Sequence, residues 1–306
     1  MLILIVPILL LLLLIVGIVL LLFKRWIVGT ICLLGALGLN LYTQTVPFNL
    51  RFSTDDKVED SYRILTYNIG LNNHYLAEHK NDLSQIAAFL NVQDADIVVL
   101  PESRLMRTPE FKTVLDQQYQ YCITQSYEID PRYIETFVYS HYPIMNVQSV
   151  GHYIYAMDIV LPHDTLLLLA CHLTSNQSNS SLTKGKGLYE NLQQGFNNRV
   201  QQADSINNFL SDYRKSVSYT HPIIICGDLN DLSGSRTINS LQQNKQLKDA
   251  WWQGGFGYGA TFTGKNLYFR LDHILFTEQQ IELQNIYVPD VEFSDHLPLI
   301  ADFKLR

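Results

Sequence analysis

No acidic residue occurs in the first 50 positions of this chain, and Lys24 and Arg25 are the only basic ones there. The remainder lacks something else, a basic excess. Residues 51–306 hold 20 Lys and Arg against 29 Asp and Glu, a formal charge of −9. Wrapping a polyanion calls for clustered Lys and Arg, so the charge balance weighs against nucleic acid as a partner, although one local basic stripe would suffice. Cysteine is scarce as well: four in 306 residues, with no CxxC or Cys/His spacing that points to zinc. Cys32 lies in an apolar stretch, and Cys171 and Cys226 close the runs LLLLAC and PIIIC, where cysteine reads as a small buried hydrophobe. No internal repeat is present, and a chain of this size can be built on a single α/β core.

What the first 50 positions do contain is apolar side chains. Met1 to Phe23 is an almost unbroken run. As a helix rising about 1.5 Å per residue it reaches roughly 34 Å, enough for a hydrocarbon core of about 30 Å. A cleaved signal peptide is the competing reading. It fits poorly, because there is no basic n-region and the stretch outruns a usual h-region. A second stretch, Trp26 to about Val46, is weaker, with Gly29, Gly35, Gly38, Asn40 and Thr43, yet carries no charge. Together they read as a transmembrane helical hairpin over 1–46, with spans of about 1–23 and 26–46. The basic pair then sits in the turn. By the positive-inside rule that turn is cytoplasmic and the body extracytoplasmic, making a multi-pass membrane protein with two spans. If the second stretch does not span, the body is cytoplasmic instead. Residues 47–62, with STDDKVED at their centre, read as a linker.

From Arg63 onward short apolar runs alternate with amphipathic stretches. RILTYNI, DIVVLPE, TFVYS, YAMDIVL, TLLLLACH, HPIIICGD, RLDHILF and LPLIADF predict strands, several apolar on both faces as in a sheet covered on each side. Asp82 to Leu90 and Arg199 to Leu210 carry helical spacing. Thr174 to Gly187 is a polar loop with two N-x-S sequons, at Asn176 and Asn179, which matter only in a eukaryotic secretory setting.

The polar residues of interest sit at strand ends. Asn68 ends RILTYNI, Glu102 follows DIVVLP and His172 ends TLLLLAC. Asp228 and Asn230 follow PIIICG, Asp272 sits within RLDHILF, and Asp295-His296 opens the last strand. Side chains at neighbouring strand ends converge on one rim of a sheet. Carboxylates and amide oxygens suit a hard cation such as Mg²⁺, and histidines beside carboxylates suit proton transfer. Taken singly, each of these residues has an ordinary role as turn, cap or half-buried histidine, and Asp272 could simply pair with Arg270 or His273. Their succession, each on a β-rich run, shifts the balance.

TYNIG, PES, CHL, GDLND, RLDHI and SDHLP resemble the successive motifs of the endonuclease/exonuclease/phosphatase superfamily, in a stretch running from about Arg63 to the C-terminus. The resemblance is nearest to bacterial members with N-terminal membrane helices. It implies a four-layer sandwich of two mixed β-sheets flanked by helices, over residues 63–306, and divalent-metal-dependent hydrolysis of phosphoesters. The implied metal is Mg²⁺, with Mn²⁺ as substitute. Carried over residue by residue, Glu102 is the metal ligand, with Asn68 near metal or phosphate and Asp295 adding a metal contact. Asp228 and Asn230 position the attacking water and a phosphate oxygen. His296 is general base or phosphate contact, oriented by Asp272, and His172 donates to the phosphate. The chain departs from the pattern at His141, in SHYPI, and at His273; both read as harmless rim residues, with a substrate contact as the sharper alternative. Trp251 and Trp252 read as core or rim packing. The substrate expected is a lipid headgroup or a small phosphoester, with no protein partner inferred. A metal-dependent nuclease is the alternative, and an inactive membrane-anchored binding protein a third reading that the intact motifs disfavour.

Overall fold

A computed structural model describes residues 5–47, 49, 53–70, 82–103, 109–125, 136–175, 187–216, 221–245, 247–264, 268–291 and 293–306. Two helices lead, α1 (Val6–Leu22) and α2 (Trp26–Thr43). The body follows with β1 (Tyr62–Thr66), α3 (Asp82–Val92), β2 (Ile97–Leu100), α4 (Pro109–Gln118), β3 (Tyr121–Gln125), β4 (Thr136–Ser140), β5 (Ile144–Gly151), β6 (Ile154–Val160) and β7 (Thr165–His172). It ends with α5 (Leu188–Ser216), β8 (Ile223–Asp228), α6 (Arg236–Lys245), β9 (Leu247–Asp249), α7 (Ala250–Gly254), β10 (Asp272–Thr277), β11 (Ile281–Tyr287) and β12 (Leu299–Leu305).

The strands form two six-stranded sheets, ordered β11-β12-β1-β2-β4-β3 and β5-β6-β7-β8-β10-β9. Each is mixed, with one parallel pair near its centre, β1 with β2 and β7 with β8. Alternation along β7 shows how the run TLLLLACH builds layers. Leu166, Leu168 and Ala170 join Ile64, Val99 and Ile224 between the sheets. Leu167, Leu169 and Cys171 turn the other way, onto Ala203, Ile206 and Leu210 of α5 and Ile238 and Leu241 of α6. On the outside of the first sheet Leu65, Val98 and Leu100 pack on Ile86 and Leu90 of α3 and on Phe111 and Leu115 of α4. The result is helix, sheet, sheet, helix, and it explains why the runs IVVL, LLLLAC and IIIC are apolar on both faces.

The same topology brings the catalytic candidates to one end. β1, β2, β7 and β8 finish there. β10 and β12, antiparallel to β8 and β1, begin there. Gly227 sets the approach of β7 to β8: with φ +136, a Cβ on it would lie 1.9 Å from the carbonyl oxygen of Cys171, so no residue with a side chain fits.

α1 and α2 pack on each other through Gly17 and Gly29, where a Cβ would collide with Leu33 and Leu21 of the opposite helix. Most of their remaining surface is exposed and apolar: Ile8, Leu11, Ile18, Leu22, Ile27, Ile31 and Leu34 are all at least half exposed. Trp26–Thr43 is long and apolar enough to cross a membrane by length and composition, while Val6–Leu22 is shorter, and residues 1–4 lie outside the described residues. The stretch read as a linker is held against the body in part. The backbone oxygens of Thr54 and Asp55 accept from Asn285 and Arg63 at 2.7 and 2.9 Å.

Candidate active site

Asp228 stands at the centre. Its Oδ2 accepts from the amide of Asn68 at 3.0 Å, across the two sheets, and its Oδ1 accepts from the backbone N–H of Asn230 at 2.9 Å. Nε2 of His296 and Nε2 of His172 approach the same Oδ2 at 3.7 and 3.9 Å. His296 Nδ1 lies 2.8 Å from Asp272 Oδ2, and Asp272 faces Asp228 directly in the β8–β10 register. His172 Nε2 lies 3.2 Å from Glu102 Oε1. Asn230 is held by donation from its amide to the carbonyl of Leu173 at 2.9 Å. Asp295 lies beside Gly70, whose backbone N–H is in turn bound by Asn68 Oδ1 at 3.0 Å. All eight candidates are thus at one end of the sandwich. Glu102 and Asn230 both have positive φ, +52 and +50, a conformation that costs a side-chain-bearing residue energy and gathers at functional sites.

Burial sets the electrostatics. Asn68, His172, Asp228, Asp272 and His296 are buried, while the Glu102 side chain keeps 19% of its exposure. Burial pushes the Asp228 carboxyl up, with His296 pulling it part of the way back. For His296 burial opposes the charged form, but Asp272 and Asp228 outweigh it and raise the pKa. The same contest at His172 is won by Glu102, which also raises the pKa. Both histidines thus face carboxylates that favour their charged forms.

The donor chemistry fits a hard divalent cation. Four carboxylates and two amides face two histidines, and Asp272 Oδ1 is buried with no hydrogen-bond partner among the described residues. Asp228, Asp272 and His296 have potential ligand atoms within 4.8 Å of one another. Those groups, however, are already engaged in hydrogen bonds, Asp228 with Asn68 and Asn230 and Asp272 with His296. Glu102 and Asp295, the two carboxylates with partial access, are better placed for a cation that keeps some of its water.

Several supporting residues escaped the reading of the sequence. Ser294 donates to the carbonyl of Asn68 at 2.9 Å and accepts from the backbone N–H of His296 at 3.2 Å. Thr261 accepts from the N–H groups of Leu271 and Asp272, and Phe262 lies edge-on to His296 with centroids 5.0 Å apart. Ser294 could have been found, as the first letter of SDHLP; Thr261 and Phe262 carry no local signal. The two unusual histidines are placed differently from each other. His273 is fully buried, not on a rim: its Nε2 lies 2.9 Å from the carbonyl oxygen of Asp231, because residues 272 and 273 point to opposite faces of β10. His141 is exposed and stacked on Tyr119. It follows β4 at the end opposite Glu102, since Ser140 pairs with Ile97. Trp251 is core, and Asp249 caps α7 by accepting from the N–H groups of Trp251 and Trp252. Arg270 pairs with Asp249 rather than Asp272, and holds that buried carboxyl well below the usual range despite its desolvation. A cleft lined by Asn49, Phe276 and Glu278 lies elsewhere and has no histidine among its lining residues. Asn176, Asn179 and most of the Thr174–Gly187 loop fall outside the described residues.

A two-sheet sandwich with histidines and carboxylates gathered at one end of its strands defines a class of hydrolases. The family model of that class matches residues 65–296, and the chain belongs to the endonuclease/exonuclease/phosphatase family. Members of the family hydrolyse phosphoester bonds. No curated protein matches the chain. Among solved structures it is similar to a mannosyl-6-phosphatase of Bacteroides thetaiotaomicron, with TM-score 0.60 and 15% identity, over 80% of this chain and 100% of that one. It is also similar to an AP endonuclease from Archaeoglobus fulgidus, with TM-score 0.56 and 15% identity, over 78% and 98%. A third is the beta toxin of Staphylococcus aureus, a mutant with bound magnesium ions, with TM-score 0.56 and 15% identity, over 79% and 99%. At these identities the likeness speaks for the fold.

Proposed function

We propose that this chain is a membrane-tethered, Mg²⁺-dependent hydrolase of a phosphomonoester or phosphodiester, with two membrane spans and an extracytoplasmic catalytic domain of residues 63–306. The observation that carries the reading is the convergence of Asn68, Glu102, His172, Asn230, Asp272 and His296 around Asp228. Glu102, with Asn68 and Asp295, would hold a divalent cation, which would supply charge neutralisation and Lewis acidity. The protein groups do the rest. Asp228 and Asn230 hold the attacking water in line with phosphorus. His296, with Nδ1 turned to Asp272, presents Nε2 to that water or to a phosphoryl oxygen. His172 donates to the phosphate and offsets charge that builds in the transition state. The acidic body and the apolar helices favour a lipid headgroup or small phosphoester over a nucleic acid.

A hydrolysis screen of the detergent-solubilised chain tests this, across sphingomyelin, phosphatidylinositol phosphates, nitrophenyl mono- and diesters, plasmid DNA and RNA. Turnover of one class is expected, lost with EDTA and restored by Mg²⁺. Glu102→Ala and His296→Ala should each lower it by about 10²-fold or more, with the circular dichroism spectrum unchanged. Full activity in either variant overturns the site assignment. EDTA-sensitive nicking of plasmid as the best activity would favour a nuclease instead.

A further inference from the structure

Four residues stand side by side across the second sheet at the catalytic end. Asp272 on β10 faces Asp228 on β8, and Asp228 faces His172 on β7, each pair in register. The backbone N–H of His172 donates to the carbonyl of Tyr153 at 2.9 Å, which adds the turn before β6 as the fourth member. Side chains two apart on a strand share a face. Leu168 and Ala170 lie between the sheets, so His172 points the same way. The Tyr153 ring lies on that side too, with its centroid 5.9 Å from that of His172 and the ring planes 31° apart. Three members of this row have roles in the proposed reaction, and Tyr153 has none.

Tyr153 also holds a backbone conformation that its side chain opposes. Gly151 pairs with Ile154, so His152 and Tyr153 alone make the turn between β5 and β6. Tyr153 has φ +58, where two-residue hairpin turns ordinarily place Gly or Asn and a bulky residue is an outlier. The conformation is imposed from outside the turn. Gln202, a buried side chain of α5, donates to the His152 carbonyl at 3.0 Å and accepts from the N–H of Thr174 at 2.9 Å. It clasps the turn to the chain that leaves His172. Strain maintained in this way gathers where a side chain is used, and Tyr153 is half-buried rather than sealed in the core.

We propose that Tyr153 is a specificity-determining residue whose ring is the platform for the organic group of the phosphoester, favouring esters of ring-bearing alcohols or phenols. The proposal rests on the phosphoester hydrolase reading, with phosphorus beside Asp228 and His172. Neighbouring strands lie about 4.8 Å apart, so Tyr153 stands roughly 10 Å from Asp228 along the row. That is within reach of a ring joined through oxygen to the phosphorus. The opposite flank is occupied, because His296 is bound to Asp272 and Phe262 lies edge-on to His296. Stacking on Tyr153 holds ground state and transition state alike, so it acts on KM and leaves kcat to the histidines and carboxylates.

Steady-state kinetics of the detergent-solubilised full chain with Mg²⁺ test it, on nitrophenyl phosphate mono- and diesters, with methylphosphonate as a competitor that has no ring. Tyr153→Gly suits the backbone angle and removes the ring. Its KM for the ester that wild type turns over should rise about tenfold or more, with kcat within about threefold. Inhibition by methylphosphonate should be unchanged, and the melting midpoint equal to wild type or higher. Tyr153→Phe keeps the ring, and its KM should stay within about twofold of wild type. An unchanged KM in Tyr153→Gly overturns the proposal. So does a fall in kcat with a lower melting midpoint, which would make the ring a cover for His172 and nothing more. Both of those outcomes leave the hydrolase reading standing. Wild-type inertness on these esters and on the lipid and nucleic-acid panel overturns the reading and the proposal together.

Discussion

The pairing of Asp272 with His296 is the residue-level feature with the clearest consequence. In neutral His296, Nδ1 held 2.8 Å from the buried Asp272 carboxylate is the protonated nitrogen, which leaves Nε2 on the side of Asp228. Asp272→Asn preserves shape but offers an amide that can donate to Nδ1, reversing the tautomer. It should lower kcat by about 10²- to 10⁴-fold, the scale of the same change in a hydrolase triad, with KM little altered. Steady-state kinetics on the substrate found in the screen decide this. A kcat within threefold of wild type would mean that His296 is not oriented by Asp272. This dyad was legible in the sequence only through resemblance, since RLDHI and SDHLP are 24 residues apart and nothing in either says that they meet. Arg270 and His273 illustrate the converse. Their side chains looked available to Asp272, yet both turn to Asp249, a partner more than 20 residues away that only the β9–β10 pairing supplies.

At the scale of elements, visibility in the sequence followed burial. β2, β4, β7, β8, β10 and β12 lie inside the sheets, and every one of their faces is covered, so their apolar runs announce them. β5 is an edge strand reading IMNVQSVG with mostly half-exposed and exposed positions, and β11, also an edge, reads IELQNIY. Polar residues that an edge tolerates erase the signal there. The helix expected over Arg199 to Leu210 runs from Leu188 to Ser216, because its first turns pack less closely and carry little periodic apolar pattern. The β7–β8 pair makes the sharpest element-level prediction. His172 and Asp228 face each other in register, and the pair closes up over Gly227. Gly227→Ala demands both a forbidden backbone angle and the displacement of Cys171, and should cost about 3 kcal/mol or more. Thermal melting should show a lower midpoint together with lost activity, since the two strands that carry His172 and Asp228 cannot stay in register. A melting temperature unchanged from wild type would mean that the close approach of these strands is not required.

For the molecule as a whole the open physical question is where α1 and α2 go, because a soluble protein seldom leaves so much contiguous apolar surface uncovered. The helices touch each other along a narrow seam at Gly17 and Gly29 and expose Leu, Ile and Val nearly all round. A core helix would be covered, and a surface helix would have a polar face. The proposed bilayer would suit both outer faces at once. On the proposed two-span reading, Lys24 and Arg25 at the turn would mark the cytoplasmic side, and the body, reached from the far ends of both helices, would lie on the other. Two outcomes follow. The chain should stay with the membrane fraction through alkaline carbonate washing. In right-side-out vesicles added trypsin should degrade the body, whose 20 Lys and Arg include exposed sites such as Lys215, whereas in inverted vesicles the body should be protected. Protection in right-side-out vesicles with degradation in inverted ones would place the catalytic domain in the cytoplasm, and α2 would then not cross. Release by carbonate would remove the bilayer from the account altogether, and the contacts of Thr43 with Gly234 and of the Gln44 carbonyl with Arg270 would have to be explained as packing between a soluble body and its own N-terminal helices.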